Sequence, residues 1–379
     1  MSIKRIICAG HVCLDITPAI PGQGARGKIG EILAPGKLLQ VGRASLSVGG
    51  AVSSTGLGLK VLGAEVSLMG KIGNDAFGGQ ILKEFGRYGA QEGLIVQEED
   101  ATSYTVAIAV PGIDRIFLHH PGANDTFCDR DIPWEKVRGA ALFHFGYPPI
   151  MRAIYENDGK ELQKILTHAK EAGCATSLDL AMVDPDSDAG KQNWARILEK
   201  ALPLTDFFCP SIEELCWMLD EERYLSWKER SDGRDMTTVL DVDRDIRPLA
   251  GRCMEMGCKV LFLKCGAPGM YLKTADRRTL DRISPAAGLD SAGWADRDFF
   301  ERSYLPRKVL SGTGAGDTSI AAFLKAMLDG YDPEMAMHLA AGTGASCVEA
   351  YDSLSGLRSF EELKEKIAAG WEKVPGTAS

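Results

Sequence analysis

Near the end of the chain, Ser311-Gly312-Thr313-Gly314-Ala315-Gly316-Asp317 runs straight into Thr318-Ser319-Ile320-Ala321-Ala322-Phe323-Leu324-Lys325-Ala326-Met327-Leu328. Ile320, Phe323, Leu324, Met327 and Leu328 have helical spacing and Gly330 supplies a stop, so a glycine-rich turn feeds a helix N-terminus. The amides of such a turn lack intrahelical partners and sit at the positive end of the helix dipole, which makes an anion their natural occupant. Asp317 has a plain explanation as the N-cap. That explanation does not account for three glycines at alternate positions. A carboxylate beside a backbone anion cradle is the arrangement for a base that takes a proton from a hydroxyl next to a bound phosphate. Two better-known glycine motifs do not fit. A dinucleotide fingerprint needs a small residue where Asp317 stands and a place early in a βαβ unit, and a phosphate-binding P-loop needs its second glycine there, followed by lysine.

Other residues that could do chemistry lie where apolar runs end. Asp15 follows the short strand Lys4 to Gly10, and an acid just past a strand sits where open α/β sheets bind ligands; alone it also reads as a turn former. Gly49-Gly50 opens a helix running to about Leu62. Glu214 stands three residues after Ser211, which fits a capping box. Lys264 ends the apolar run 259–263 before a turn holding Gly266 and Gly269, and it serves equally as a phosphate contact or as a solvated turn lysine. Gly342, Gly344, Ala345 and Ser346 form one small-residue face on a helix that starts at Asp332-Pro333-Glu334 and extends toward Val348, suited to core packing or to a flat ligand.

The elements that must position these residues alternate. Short apolar runs over 140–145, 176–180, 206–209 and 259–263 are separated by helical stretches, which argues for a parallel sheet with helices on both faces. Asp179 ends one of these runs. The run 65–69 is a further strand, and Asn74 or Asp75 caps the helix after it. Two β-rich runs, 103–110 and 115–119, joined by Pro111-Gly112-Ile113-Asp114, read as a hairpin. The stretches 221–242 and 274–307 are polar and weakly periodic, and they read as surface loops.

With 379 residues the chain can bury a large core, and a net charge of -9 argues against nucleic acid or an anionic membrane as partner. The first apolar run, Ile6 to Ala9, is too short for a signal-peptide core and no run approaches membrane-spanning length, so the chain reads as cytoplasmic. Ten cysteines without a C-x-x-C pair read as buried free thiols. Strand alternation sends His119 and His120 to opposite faces, against a metal cluster.

Gly314-Ala315-Gly316-Asp317 opening a helix resembles the signature of the ribokinase-like (PfkB-type) carbohydrate kinases, and the other motifs follow in that family's order from about Ile6 to Gly356. The resemblance implies one doubly wound α/β domain over 1–379, with a mainly parallel sheet flanked by helices and a small β-sheet lid built from about 15–46 and 98–126. It implies an ATP-dependent sugar kinase with Asp317 as catalytic base and the Gly314, Ala315 and Gly316 amides as anion hole. Asp15, Gly49, Gly50, Ser54 and Asn124 then contact the sugar. Lys264, Gly266, Gly269, Gly314, Gly316 and Ser346 contact ATP, and Glu214 holds Mg2+ through water. A homodimer through the lid is also implied. The chain departs from the family's pattern at Ser54 and Ser211, each in the place of an Asn. Ser311-Gly312 replaces an Asp-Thr pair tied to a monovalent-cation site, so the resemblance does not extend to potassium. A nucleoside kinase of the same fold, or a non-catalytic sugar or nucleotide sensor, fits the same motifs.

Overall fold

The computed structural model describes residues 4–20, 32–108, 110 and 116–375. The hairpin loop expected at Pro111 to Asp114, and residues 21–31 of the expected lid, lie outside them. The main sheet has nine strands in the order β13-β12-β11-β10-β9-β8-β1-β4-β5. Seven of them are parallel neighbours: β1 (Ile6–Gly10), β4 (Val66–Gly73), β5 (Leu94–Gln97), β8 (Leu142–Gly146), β9 (Ala175–Leu178), β10 (Phe207–Phe208) and β11 (Val260–Lys264). Two antiparallel strands, β12 (Gly269–Thr274) and β13 (Asp298–Arg302), finish one edge.

Strand alternation divides the core between the two faces. Ile6, Cys8, Val260 and Phe262 point into one apolar cluster, under the helices Ala51–Val61, Ala315–Leu328 and Pro333–Cys347. Ile7, Ala9, Leu261 and Leu263 point into the other. Phe262 stacks on Phe323 of the Ala315–Leu328 helix with ring centroids 4.4 Å apart. Burying a side chain of this size contributes roughly 1.5–3 kcal/mol, so this contact fixes the glycine-rich helix start against the strand ends.

A separate four-stranded sheet runs β3-β2-β6-β7, from β2 (Cys13–Pro18), β3 (Ala44–Gly49), β6 (Tyr104–Ile108) and β7 (Ile116–His120). Its register sorts the side chains by polarity. Ser47, Asp15, Thr105 and His119 are successive partners across the four strands and share one face, while Leu46, Ile16, Val106 and Leu118 form the adjacent row on the other.

Two segments differ from their reading as surface loops. Within 221–242 lies the helix Glu221–Ser231, whose Trp227 is fully buried and donates its indole N–H to Asp245 at 3.1 Å. Within 274–307, β13 forms the sheet edge and Trp294 is buried. In both, a few scattered buried residues, among them Met236 and Leu240 in the first and Leu280 and Tyr304 in the second, anchor a mostly polar segment, too sparse a pattern to register as periodicity. No helix among the described residues is long and apolar enough to cross a membrane.

Candidate active site

The candidate residues gather at the C-terminal ends of the parallel strands, where an open α/β sheet leaves a crevice. Gly314 caps the Ala315–Leu328 helix with φ 75°, and a Cβ there would stand 2.2 Å from the Ser353 Cβ, so the turn demands glycine. Asp317 is therefore the third residue of the helix and not its N-cap. Its buried carboxylate takes no bond from the first-turn amides that a cap would serve. Instead Oδ1 accepts the Tyr147 hydroxyl at 2.7 Å and a long contact from Thr55 Oγ1 at 3.4 Å. Burial raises the Asp317 pKa, with Lys264 and the Tyr147 phenol pulling against it, and the net position is above the ordinary carboxylate value. A raised carboxylate is a better proton acceptor near neutrality.

Lys264 reaches across the helix start. A Cβ on Gly316 would lie 3.2 Å from its Cδ, and its Nζ pairs with Asp179 Oδ1 at 2.8 Å. Burial opposes the ammonium, but Asp179, Glu214 and Asp317 outweigh it and raise the pKa, so Lys264 carries its charge. Burial likewise pushes Asp179 up, against the pull of Lys264. Its Oδ2 is buried without a hydrogen-bond partner. Glu214 does close the capping box: its Oε2 accepts from Ser211 N at 2.7 Å while its own amide reaches Ser211 Oγ at 3.3 Å. It also acts electrostatically on Asp179, Lys264 and Asp317, so capping and proximity to the site coexist. Among the described residues no three His, Cys, Asp or Glu side chains gather into a ready metal cage. The donors present suit a cation that keeps most of its waters and takes one or two carboxylates, as magnesium does.

The other side of the crevice faces the small sheet. The Asp15 carboxylate lies against Gly49, where a Cβ would stand 2.3 Å from Oδ2, and burial raises its pKa to about 6. Gly50, with φ 85°, leads into the Ala51–Val61 helix, whose buried first turn holds Ser54. Tyr147 and His11 had no part in the sequence argument. Tyr147 follows the last residue of β8 in a left-handed backbone, φ 67°, which costs a non-glycine residue roughly 1–3 kcal/mol. His11 follows the last residue of β1, and both its ring nitrogens are buried without hydrogen-bond partners. The signal that could have found them is the one that drew attention to Asp179: a polar residue immediately after a buried parallel strand.

Several expected contacts have another occupation. The fully buried Asn124 amide donates to the Val12 carbonyl at 2.9 Å and to that of Pro121 at 3.2 Å, and its Oδ1 accepts from Val12 N, so its side chain ties the strand end to the loop. Gly266 faces the Thr237 side chain and Gly269 the Glu301 carbonyl, which gives both a packing reason. On the small-residue face, Gly342 meets Trp371 and Leu363, Gly344 meets Ser319 Oγ, and Ser346 is buried beneath Gly356. Protein therefore fills that face at these points, where an adenine was expected.

Known proteins resemble this chain over most of its length. Residues 5–358 match the model of the pfkB family of carbohydrate kinases. A sugar kinase of Archaeoglobus fulgidus is 26% identical over 303 residues, 79% of this chain and 98% of that protein. The 2-dehydro-3-deoxygluconokinase of Bacillus subtilis is 23% identical over 339 residues, 88% of this chain and 90% of that protein. The structure of an ATP-bound fructokinase from Xylella fastidiosa superposes with a TM-score of 0.70 at 18% identity, covering 96% of this chain and 98% of that one. The chain belongs to the pfkB family of carbohydrate kinases.

Proposed function

We propose that this kinase transfers the γ-phosphoryl group of ATP to a sugar hydroxyl with Asp317 as general base. The observation that carries the reading is the buried Asp317 carboxylate, tethered by Tyr147 and placed one residue beyond the Gly314 to Gly316 amides and Lys264. Asp317 takes the hydroxyl proton, the sugar oxygen forms its bond to the γ-phosphorus, and the bond to the β-phosphate bridging oxygen breaks, with ADP leaving on the electron pair. The helix-start amides and Lys264 stabilise the charge that develops on the phosphoryl oxygens. Magnesium supplies further neutralisation of the phosphates when bound, and Glu214 with the unpartnered Asp179 Oδ2 would hold it through water. Tyr147 orients the base. Asp15 and the Gly49-Gly50 turn bind the acceptor, which is a sugar, as the named relatives are sugar kinases.

The small sheet acts as the lid over this acceptor, because its Ser47, Asp15, Thr105 and His119 row carries the polar groups. Its opposite face leaves Leu46, Leu118 and Ile116 partly exposed, the last two on the edge strand. A second copy of the chain covers these residues, as exposed apolar strand surface favours. All ten cysteines are free and nine are buried, which fits the reducing cytoplasm, where we place the enzyme. The test is ADP formation from Mg-ATP with D-fructose, D-ribose and 2-dehydro-3-deoxygluconate. Sugar-dependent turnover supports the reading, and ATP hydrolysis indifferent to every sugar contradicts it.

A further inference from the structure

His11 is a polar group that the proposed chemistry leaves unused. It is 1% exposed, yet neither ring nitrogen meets a hydrogen-bond partner. An imidazole buried in this way forfeits its water bonds without replacement, a standing cost to the fold unless something else supplies the partner.

Its surroundings indicate what that partner is. The Nδ1 atom lies 2.6 Å from where a Cβ on Gly50 would stand, so the ring occupies space that only a glycine at the acceptor-side turn leaves open. Its centroid is 5.2 Å from that of His119, on the polar row of the lid sheet, and 6.1 Å from that of Tyr147, whose hydroxyl holds the base. The ring is thus bounded by the diglycine turn, the lid and the Asp317 tether. These are the three structures that enclose the acceptor on the reading above. On the lid, His119 Nδ1 already shares a hydrogen bond with Thr105 Oγ1 at 3.0 Å.

We propose that His11 is a specificity-determining residue that recognises the sugar by hydrogen bonds to its hydroxyl groups, one donated from one ring nitrogen and one accepted at the other. Burial and the neighbouring His119 hold the His11 pKa well below its ordinary value, so the ring stays neutral and presents one donor and one acceptor. A hydroxyl offers the complementary pair. The same neutrality gives His11 no charge with which to select an anionic group. The inference rests on the sugar-kinase reading, and its test separates the two.

The measurement is the affinity of wild type and His11→Phe for D-fructose, D-ribose and 2-dehydro-3-deoxygluconate without nucleotide, read from the sugar-induced rise in melting temperature. Phenylalanine keeps an aromatic ring and deletes both nitrogens. The expected result is that at least one sugar stabilises wild type, and that His11→Phe binds it about 10- to 100-fold more weakly. The ligand-free variant should melt at or above wild type, since an unpaired polar ring has been removed. His11→Gln, which keeps a donor and an acceptor, should recover part of the affinity. Wild-type affinity in His11→Phe overturns the proposal, as does a wild type stabilised by none of the three. ADP formation is scored separately. Turnover of a sugar whose binding ignores His11 discards the proposal and keeps the kinase; His11-dependent binding without turnover does the reverse.

Discussion

On the phosphate side of the site, the groups that meet charge come from one continuous turn and helix start, Gly314 to Asp317, with Lys264 laid across it. On the proposed acceptor side, the groups come from three separated stretches, His11 with Asp15, His119, and Tyr147; the His11 ring is buried without partners and burial raises the Asp15 pKa. A phosphate has the same shape in every nucleoside triphosphate, so backbone amides and one lysine suffice to hold it. A sugar is known by the positions of its hydroxyls, and only side chains brought in from several elements can match them. The first construction costs the fold little, because the amides are unpaired at any helix start. The second places burial penalties where the ligand relieves them.

Substitutions on the two sides should therefore fail differently. Asp317 aside, the largest effect belongs to Lys264→Met, expected to lower kcat/KM by about 10²- to 10³-fold through lost stabilisation of phosphoryl charge. It should also lower Tm, because Asp179 is left as a buried unpaired carboxylate. Adding Asp179→Asn should restore Tm but not turnover; recovery of both would reduce Lys264 to a structural counter-ion. A smaller effect, about 10-fold in kcat, is expected for Tyr147→Phe. Because the phenol lowers the Asp317 pKa, its loss should move the acid limb of the kcat/KM profile to higher pH. An unmoved limb would mean that Tyr147 only fills space.

The smallest effect is on stability at Asp15. Its folded pKa of about 6 exceeds the ordinary 3.8, so between these values the folded state binds more protons than the unfolded chain. Stability then falls as pH rises through that window and levels off above it. Asp15→Asn should melt above wild type at about pH 8, converge with it at about pH 4, and bind sugar more weakly at either. Equal melting curves at both pH values would contradict the burial penalty assigned to the acceptor side.

The same contrast explains what the sequence disclosed. Contiguous residues are legible: the Gly314 to Asp317 turn, the alternating strands and helices and the hairpin follow from local spacing, while the rest of the small sheet came only with the family resemblance. Even there the plain N-cap reading of Asp317 stood open beside the base reading, since whether Asp317 begins the helix or lies within its first turn depends on the positive φ at Gly314. Tyr147 and Asp317 are 170 residues apart, and no local pattern announces their bond. Asn124 shows the opposite case: its setting reads as a binding loop, while its side chain bonds Val12 and Pro121 in a way no local pattern announces. The helix Glu221–Ser231 escaped notice because Trp227 carries its burial almost alone.

The central claim is that Asp317 accepts the proton of the sugar hydroxyl, and Asp317→Asn tests it most directly. The amide oxygen can still accept the Tyr147 hydroxyl, so the fold, the melting temperature and ATP affinity should change little, while the proton acceptor is gone. The prediction is a fall in sugar phosphorylation of at least about 10²- to 10⁴-fold with ATP binding retained. An Asp317→Asn enzyme that phosphorylates its sugar at near wild-type rate would contradict the account.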